Sequence, residues 1–151
     1  MTDAGPLSGL MLDPAGVFVC LKKNGRLRGC VGTIRPVTPC AAQEAIRNAI
    51  ASASEDPRFP PVESHELEDI DYTVDVLMPP EKIDGLSELD VKKYGVIVVK
   101  EARRGLLLPD LEGVDSVEEQ VRIAMMKAGI EPSEAVGGGV EMYRFEVARF
   151  S

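Results

Sequence analysis

The residues best suited to chemistry are Arg28, Gly29, Cys30 and Gly32, which lie close together in the sequence. A cysteine acts as a nucleophile in its thiolate form, which a neighbouring guanidinium stabilises. The span from Pro14 to Gln43 contains no acidic residue that would oppose this effect. Glycines allow a ligand to approach the backbone closely. The stretch therefore predicts a catalytic Cys30, with Arg28, Gly29 and Gly32 binding a small anionic or carbonyl substrate.

A plainer interpretation of these residues stays open. A cysteine on a strand is more often a small core residue than a nucleophile. The one histidine of the sequence, His65, is distant from Cys30 along the chain, so no base is evident beside the thiol. Arg28 fits equally well as a solvated strand residue or as the partner of a carboxylate. These residues alone do not decide whether the chain is an enzyme.

A further cation lies in the proline-rich run Asp56-Pro57-Arg58-Phe59-Pro60-Pro61. The prolines fix a rigid path for the chain, and Arg58 could join Arg28 around an anionic ligand. Arg58 is therefore a candidate substrate-binding residue. The alternative is structural, with a helix stop, Arg58 paired to Asp56, and Phe59 in the core.

The cysteines and the histidine do not predict a metal site. Cys20, Cys30 and Cys40 show no Cys-x-x-Cys spacing, and His65 stands among acidic residues. We expect Cys20 and Cys40 to be core residues and His65 to be exposed. No metal and no cofactor is predicted.

Composition and charge narrow the class of protein. With 151 residues, 44% of them hydrophobic and 28% charged, the chain fits one globular domain. The net charge of −8 opposes binding to nucleic acid and to anionic membranes, which depends on neutralising phosphates. No apolar run approaches the ~18 residues of a membrane span, and the N-terminus lacks the pattern of a signal peptide. We therefore expect a cytoplasmic protein.

The element that must position Cys30 is a β-hairpin. Its first strand is predicted near residues 17–21 and its second over residues 26–33, with a turn at Asn24-Gly25, the strongest short hairpin signal. A regular two-residue turn would place Cys30 opposite Val19 and Cys20 opposite Gly29. Strand alternation would then put Arg28 and Cys30 on one face and Cys20 on the other, which disfavours a Cys20–Cys30 disulfide.

A helix and a strand should follow this hairpin. The helix is predicted to begin at Thr38-Pro39, to end before Asp56-Pro57 and to pack on a sheet through an apolar stripe of Ala42, Ile46, Ala49, Ile50 and Ala53. Residues 71–78 alternate as a half-buried strand does. Their predicted buried face carries Tyr72, Val74, Val76 and Met78, and the opposite face carries Asp71, Thr73 and Asp75.

The pattern then repeats. Gly95-Val96 echoes Gly16-Val17, and a second helix is predicted between a capping box at Ser116 and a stop at Gly129. We expect an α+β fold with mixed or antiparallel sheets, built from two hairpin-helix-strand repeats. The predicted division is an N-terminal extension over residues 1–15 and a single domain over 16–151, with repeat one at about 16–78 and repeat two at about 95–150.

Several motifs resemble the AMMECR family, named for the chromosomal region of a human syndrome with Alport nephritis and midface hypoplasia. They are, in order, Leu27-Arg28-Gly29-Cys30-Val31-Gly32-Thr33, the Asp56 to Pro61 run, Arg104-Gly105-Leu106-Leu107-Leu108-Pro109 and Tyr143-Arg144-Phe145. The resemblance covers about Gly16 to Phe150. It implies an α+β fold with two β-rich repeats, and no settled reaction comes with the name.

The resemblance also implies a bacterial or archaeal protein with particular gene neighbours. Such proteins are often encoded beside a Memo-like protein and a radical-SAM protein, which are therefore expected partners. Members usually begin with an additional N-terminal helix, whereas fifteen residues precede Gly16 here. We expect the surface under that helix to be exposed or used for a homodimer.

Two functional hypotheses follow. The first is an enzyme or small-ligand module that uses Cys30, Arg28 and Arg58. The second is a non-catalytic interaction component that works with the Memo-like and radical-SAM partners. The first predicts a solvent-reached Cys30 in a concave site, and the second predicts an inert thiol together with an exposed apolar strand or patch.

Overall fold

The computed structural model describes residues 11–136 and 138–151, so most of the predicted extension over residues 1–15 lies outside the described residues. In chain order the elements are β1 (Val17–Lys23), β2 (Arg26–Gly32), α1 (Ala41–Ser54), a 3₁₀ turn (Ser64–Asp69), β3 (Ile70–Leu77), β4 (Glu81–Ile83), a second 3₁₀ turn (Leu86–Glu88), β5 (Gly95–Lys100), β6 (Arg103–Leu107), α2 (Val117–Ala128), α3 (Pro132–Val136), β7 (Glu141–Phe145) and β8 (Val147–Phe150). Helices and antiparallel sheets together confirm the predicted α+β class. No helix in these two ranges is long and apolar enough to cross a membrane.

The chain divides into two compact units. Unit one is the described part of Met1–Leu77 together with Ala148–Ser151, and unit two is Met78–Val147. The sheet of unit one has the strand order β2-β1-β3-β8, and the sheet of unit two has the order β4-β7-β5-β6. An ancient duplication behind the two halves stays a prediction.

The first hairpin forms where the sequence predicts it. Asn24 and Gly25 have φ angles of 52° and 82°, the positive values that a tight hairpin turn requires. Next to the turn, Lys22 pairs with Leu27 as expected, but the register then shifts, and Leu21 pairs with Gly29. Arg28 is thus the extra residue of a β-bulge, which displaces every later pair by one position.

Helix α1 packs on the sheet through polar side chains. Asn48 Nδ2 donates to the carbonyl oxygen of Val17 at 2.8 Å, and Ser52 Oγ donates to that of Val19 at 2.6 Å. Glu44, Asn48 and Ser52 are all buried. Because these side chains supply hydrogen bonds as well as contact, the polar side of the helix faces the sheet.

The prediction that the apolar stripe of α1 packs on the sheet is therefore wrong for its two largest members. Ile46 is 64% exposed and Ile50 is 59% exposed. Strand β3 departs from its prediction in a related way. Tyr72 is 59% exposed, whereas Asp75, predicted on the solvent face, is buried and accepts two hydrogen bonds from Arg149.

Unit two has a conventional apolar core. Its helix α2 begins at the Ser116 N-cap, whose hydroxyl accepts from the backbone N–H of Glu119, and ends at Gly129 with φ 73°, as predicted. The buried cluster between helix and sheet consists of Ile83, Leu89, Val96, Val98, Leu107, Val114, Ala124, Met125 and Ile130. This unit buries the apolar side of its helix together with one polar side chain, Gln120, whose Nε2 donates to the carbonyl oxygen of Tyr94 at 2.9 Å.

Candidate functional site

Cys30 is joined to Cys20 by a disulfide, with their Cα atoms 4.0 Å apart. The bulge at Arg28 causes this, because it moves Cys30 from the predicted position opposite Val19 to the position opposite Cys20. The expectations that this disulfide is disfavoured and that Cys20 and Cys40 are core residues are wrong. Both cysteines are half-buried, as is Cys40, which is a free thiol. The catalytic role of Cys30 stays a prediction.

Arg28 directs its guanidinium to Glu66 in the first 3₁₀ turn. Its Nε and Nη2 atoms lie 3.0 and 3.1 Å from the two carboxylate oxygens of Glu66, and Nη2 also donates to the carbonyl oxygen of Pro61. Lys23 Nζ adds a bond of 3.0 Å to Glu66. The hydrogen bond from Arg28 is the main reason that the pKa of Glu66 lies well below its ordinary value.

The pairing with Glu66 has two consequences for the predicted site. The bulge places both Arg28 and Gly29 opposite Leu21. Arg28 and Cys30 therefore do not share a face, contrary to the prediction from regular strand alternation. The charge of Arg28 is also matched by a buried carboxylate. Substrate binding by Arg28 stays a prediction, and it requires the ligand to share or displace Glu66.

The proline-rich run holds the backbone of Cys30. The carboxylate of Asp56 accepts from the backbone N–H of Cys30 at 3.0 Å and from Arg58 Nη2 at 2.7 Å. Arg58 Nη2 in turn reaches the carbonyl oxygen of Cys30 at 3.4 Å. The hydrogen bond from Arg58 keeps the pKa of Asp56 far below its usual range. The Arg58–Asp56 pair is the structural alternative that the sequence suggested, and a ligand contact by Arg58 stays a prediction.

Gly29 and Gly32 serve close packing in the structure. A Cβ atom on Gly29 would collide with the carbonyl oxygen of Ser52 on α1, and one on Gly32 would collide with the ring of Phe18. Protein atoms therefore occupy the space beside both glycines. This packing is a sufficient reason for glycine at both positions. Their contact with a substrate stays a prediction.

Unit one contains a concave apolar groove with a volume of about 500 Å³. It lies between α1, strands β1 and β3, and the segment around the first 3₁₀ turn. Its lining is aliphatic with one tyrosine: Val19, Leu21, Ala45, Ile46, Ala49, Ala53, Val62, Leu67, Ile70, Tyr72 and Val74. We call this feature the apolar groove.

The apolar groove is open to solvent, and the segment that lines one side of it is rich in acidic residues in sequence. Ile46, Leu67 and Tyr72 are each about three-fifths exposed, at 64%, 62% and 59%. Exposed acidic residues are interspersed in sequence with the lining residues from Val62 to Tyr72; they are Glu63, Glu68, Asp69 and Asp71. Strand alternation places Asp71 on the face of β3 opposite Tyr72. A groove of this kind favours an apolar ligand with positive charge at its edge.

Two sequence signals could have revealed the apolar groove. The stripe on α1 and the Tyr72, Val74 face of β3 were both predicted to be buried, and both contribute to this one groove. The sequence does not show that these two apolar faces line an open groove instead of packing against each other. That outcome follows from the polar contacts of Asn48 and Ser52.

One cluster has the residue types of a metal site. The ligand atoms of Glu63, His65 and Glu66 lie within 4.8 Å of one another. His65 is exposed, as predicted, with its Nδ1 atom 3.9 Å from Glu63. Glu66 already binds Arg28 and Lys23, so its carboxylate is committed to an ion-pair network. We assign no ion to this cluster.

Known proteins similar to this chain extend over most of its length. A protein of Thermotoga maritima is 60% identical over 137 residues, which are 90% of this chain and 77% of that protein. A protein of Methanothermobacter thermautotrophicus is 42% identical, over 89% of this chain and 74% of that protein. Protein CA_C1420 of Clostridium acetobutylicum is 59% identical over 119 residues, and there the chain spans only 25% of the relative.

The fold also has a solved counterpart. The crystal structure of the uncharacterized protein PH0010 from Pyrococcus horikoshii superposes with a TM-score of 0.86 at 32% identity, over 99% of this chain and 79% of that one. The sequence model of the AMMECR1 family matches residues 2–150. The family resemblance is thereby confirmed, and this chain belongs to the AMMECR1 family.

Proposed function

We propose that this chain is a protein-interaction component whose apolar groove receives an apolar segment of a partner protein. The observation that carries the proposal is the exposure of Ile46, Leu67 and Tyr72 around one concave surface. Contiguous exposed apolar surface of this sort marks interaction sites in folded proteins, because leaving it in water costs free energy that binding recovers.

The groove favours an amphipathic helix as its occupant. Such a helix presents apolar side chains at three- and four-residue spacing, which suits an apolar groove between a helix and a sheet. The exposed acidic residues along the segment from Glu63 to Asp71 favour lysine or arginine on the flank of that helix. We therefore propose a basic amphipathic segment as the ligand class.

The Memo-like and radical-SAM proteins implied by the family resemblance are the first partners to test. The Clostridium relative supports a component role, because the region similar to this chain makes up only a quarter of it. A cytoplasmic location is part of the same proposal. A homodimer, in which a second copy supplies the segment, is the alternative occupant of the groove.

The enzyme hypothesis has less support from the geometry. In the disulfide form Cys30 has no free thiol, and Arg28 and Arg58 are each paired with a carboxylate. Catalysis by Cys30, with Arg28, Gly29, Gly32 and Arg58 binding substrate, would need the disulfide to be reduced first. We rank the interaction role ahead of it for that reason.

The test compares binding of the purified Memo-like and radical-SAM proteins to three forms of the chain by calorimetry. Ile46→Ser changes the apolar groove, and Met126→Ser is its matched control, since Met126 on α2 is also exposed, at 62%. We expect wild type and Met126→Ser to bind alike and Ile46→Ser to bind at least several-fold more weakly. Equal binding by all three forms would refute this use of the groove.

Sedimentation of the chain alone separates the homodimer from the partner complex. A dimer that Ile46→Ser dissociates would show that a second copy occupies the groove. A monomer that binds neither protein, in wild type or control, would contradict the choice of these two partners.

A further inference from the structure

We propose that Cys20 and Cys30 form a reversible thiol–disulfide exchange site that reacts with small thiols and disulfides such as glutathione. The inference does not depend on the proposed interaction role. It starts from the register of the hairpin, in which the bulge at Arg28 sets the two cysteines directly opposite each other.

The pair is built so that its two sulfurs stay together in either oxidation state. Cys20 lies on β1, which pairs with β2 on one side and with β3 on the other. The backbone of Cys30 is held on both sides of its Cα atom, by Asp56 at its N–H and by Arg58 at its carbonyl oxygen. These contacts do not involve the sulfur atoms. Reduction would therefore leave the two thiols adjacent, at a high effective concentration for ring closure.

The pair is also accessible. Cys20 and Cys30 are both half-buried and neither belongs to the sealed core, as exchange with a small thiolate requires. Cys40, in the same unit, is equally half-buried but has no disulfide partner, so exposure alone does not make a cysteine an exchange site. The geometry thus singles out one pair from three cysteines.

The exchange reaction balances in two steps. A glutathione thiolate attacks one sulfur of the pair, breaks the Cys20–Cys30 bond and forms a mixed disulfide, while the other cysteine leaves as a thiolate. A second glutathione thiolate then attacks the mixed disulfide and releases glutathione disulfide. Two thiols of glutathione are oxidised, the protein disulfide gains two electrons, and two protons end on the protein thiols. The reverse sequence closes the pair again.

Thiol–disulfide exchange would determine whether Cys30, the predicted nucleophile, carries a free thiol. With the pair closed, Cys30 carries no thiol, and with the pair open it does. Cys20 is in this scheme the resolving partner that removes any adduct on Cys30. None of the side chains that line the apolar groove takes part in the exchange step.

The test uses the native wild-type chain in a series of glutathione buffers from fully reduced to fully oxidised. Free thiols are trapped with iodoacetamide and located by peptide mass spectrometry, and circular dichroism reports whether the chain stays folded. We expect Cys20 and Cys30 to lose their label together as the buffer becomes oxidising, while Cys40 is not joined to either. Two outcomes would overturn the proposal: both cysteines remain free thiols in the oxidising buffers, or the disulfide opens only when denaturant unfolds the chain.

Variants sharpen the assignment. In Cys20→Ser, oxidised glutathione should leave one stable glutathione adduct on Cys30, because no partner resolves it. In Cys40→Ser, the exchange should match wild type. A Cys20→Ser chain that folds but stays unmodified would count against Cys30 as the attacked sulfur, and if that variant does not fold, the wild-type titration decides alone.

Discussion

Gly29 lies directly against the carbonyl oxygen of Ser52, so that strand β2 and helix α1 touch through their backbones. Ser52 strengthens the contact, since its hydroxyl donates to Val19 and accepts from the N–H of Val31. An equivalent contact occurs in unit two, where a Cβ atom on Gly105 would collide with the carbonyl oxygen of Ala124. In both units a glycine sets how closely the helix approaches its hairpin.

We predict that Gly29→Ala destabilises the protein. The new methyl group has no space, and overpacking of this kind costs about 1–3 kcal/mol. Gly85→Ala is the control, because Gly85 has an extended backbone with φ −165° and nothing near its Cβ position. Urea unfolding should show a lower midpoint for Gly29→Ala only. Equal stability of the two variants would mean that α1 is not in backbone contact with β2.

Ser52→Ala should lower the free energy of unfolding by about 1–3 kcal/mol, because it removes the buried hydroxyl that binds both the half-buried N–H of Val31 and the carbonyl oxygen of Val19. Ser54→Ala lies on the same helix but is exposed, and its hydroxyl bonds only to the carbonyl of Ile50. Thermal unfolding of both variants checks the difference. If Ser54→Ala costs as much as Ser52→Ala, the polar side of α1 does not face the sheet.

Stability should fall as the pH is lowered below the ordinary carboxyl range. The hydrogen bond from Arg28 lowers the pKa of Glu66 in the folded chain from an ordinary value of 4.5. A lowered folded-state pKa gives a contribution that is present above the unfolded value and lost as the pH falls toward the folded one. Urea titrations between about pH 6 and pH 3 should therefore show a steady loss of stability.

The Glu66→Gln variant tests the source of that loss. It should be less stable than wild type at pH 6 and should lose less stability on acidification, because its side chain does not titrate. Glu68→Gln removes one charge from an exposed position in the same turn and serves as the control. A wild-type pH slope in Glu66→Gln would show that the Arg28–Glu66 pair is not responsible.

Local signals predicted the elements of the fold well. Asn24-Gly25 specifies a turn through its own backbone preferences, and Ser116 and Gly129 mark the ends of α2 through capping. These features depend on a few neighbouring residues. The sequence alone therefore contains what is needed to place them.

The features missed by sequence reasoning depend on residues far apart in the chain. The bulge at Arg28 accompanies an ion pair with Glu66, 38 positions away, and it reverses the expected relation between Cys20 and Cys30. Which side of α1 faces the sheet is decided by hydrogen bonds from Asn48 and Ser52 to β1. Hydrophobic periodicity finds the apolar side of a helix, but it does not show what that side packs against.

Fluorescence anisotropy with labelled synthetic peptides tests most directly whether the apolar groove binds a basic amphipathic helix. One peptide carries leucine at helical spacing with lysine elsewhere, and its counterpart carries glutamate in place of lysine. We predict saturable binding of the lysine peptide to wild type and to Met126→Ser, with affinity at least tenfold weaker for an Ile46→Ser, Tyr72→Ser double variant and for the glutamate peptide. Equal binding of both peptides, or equal loss of binding in Met126→Ser, would contradict the account.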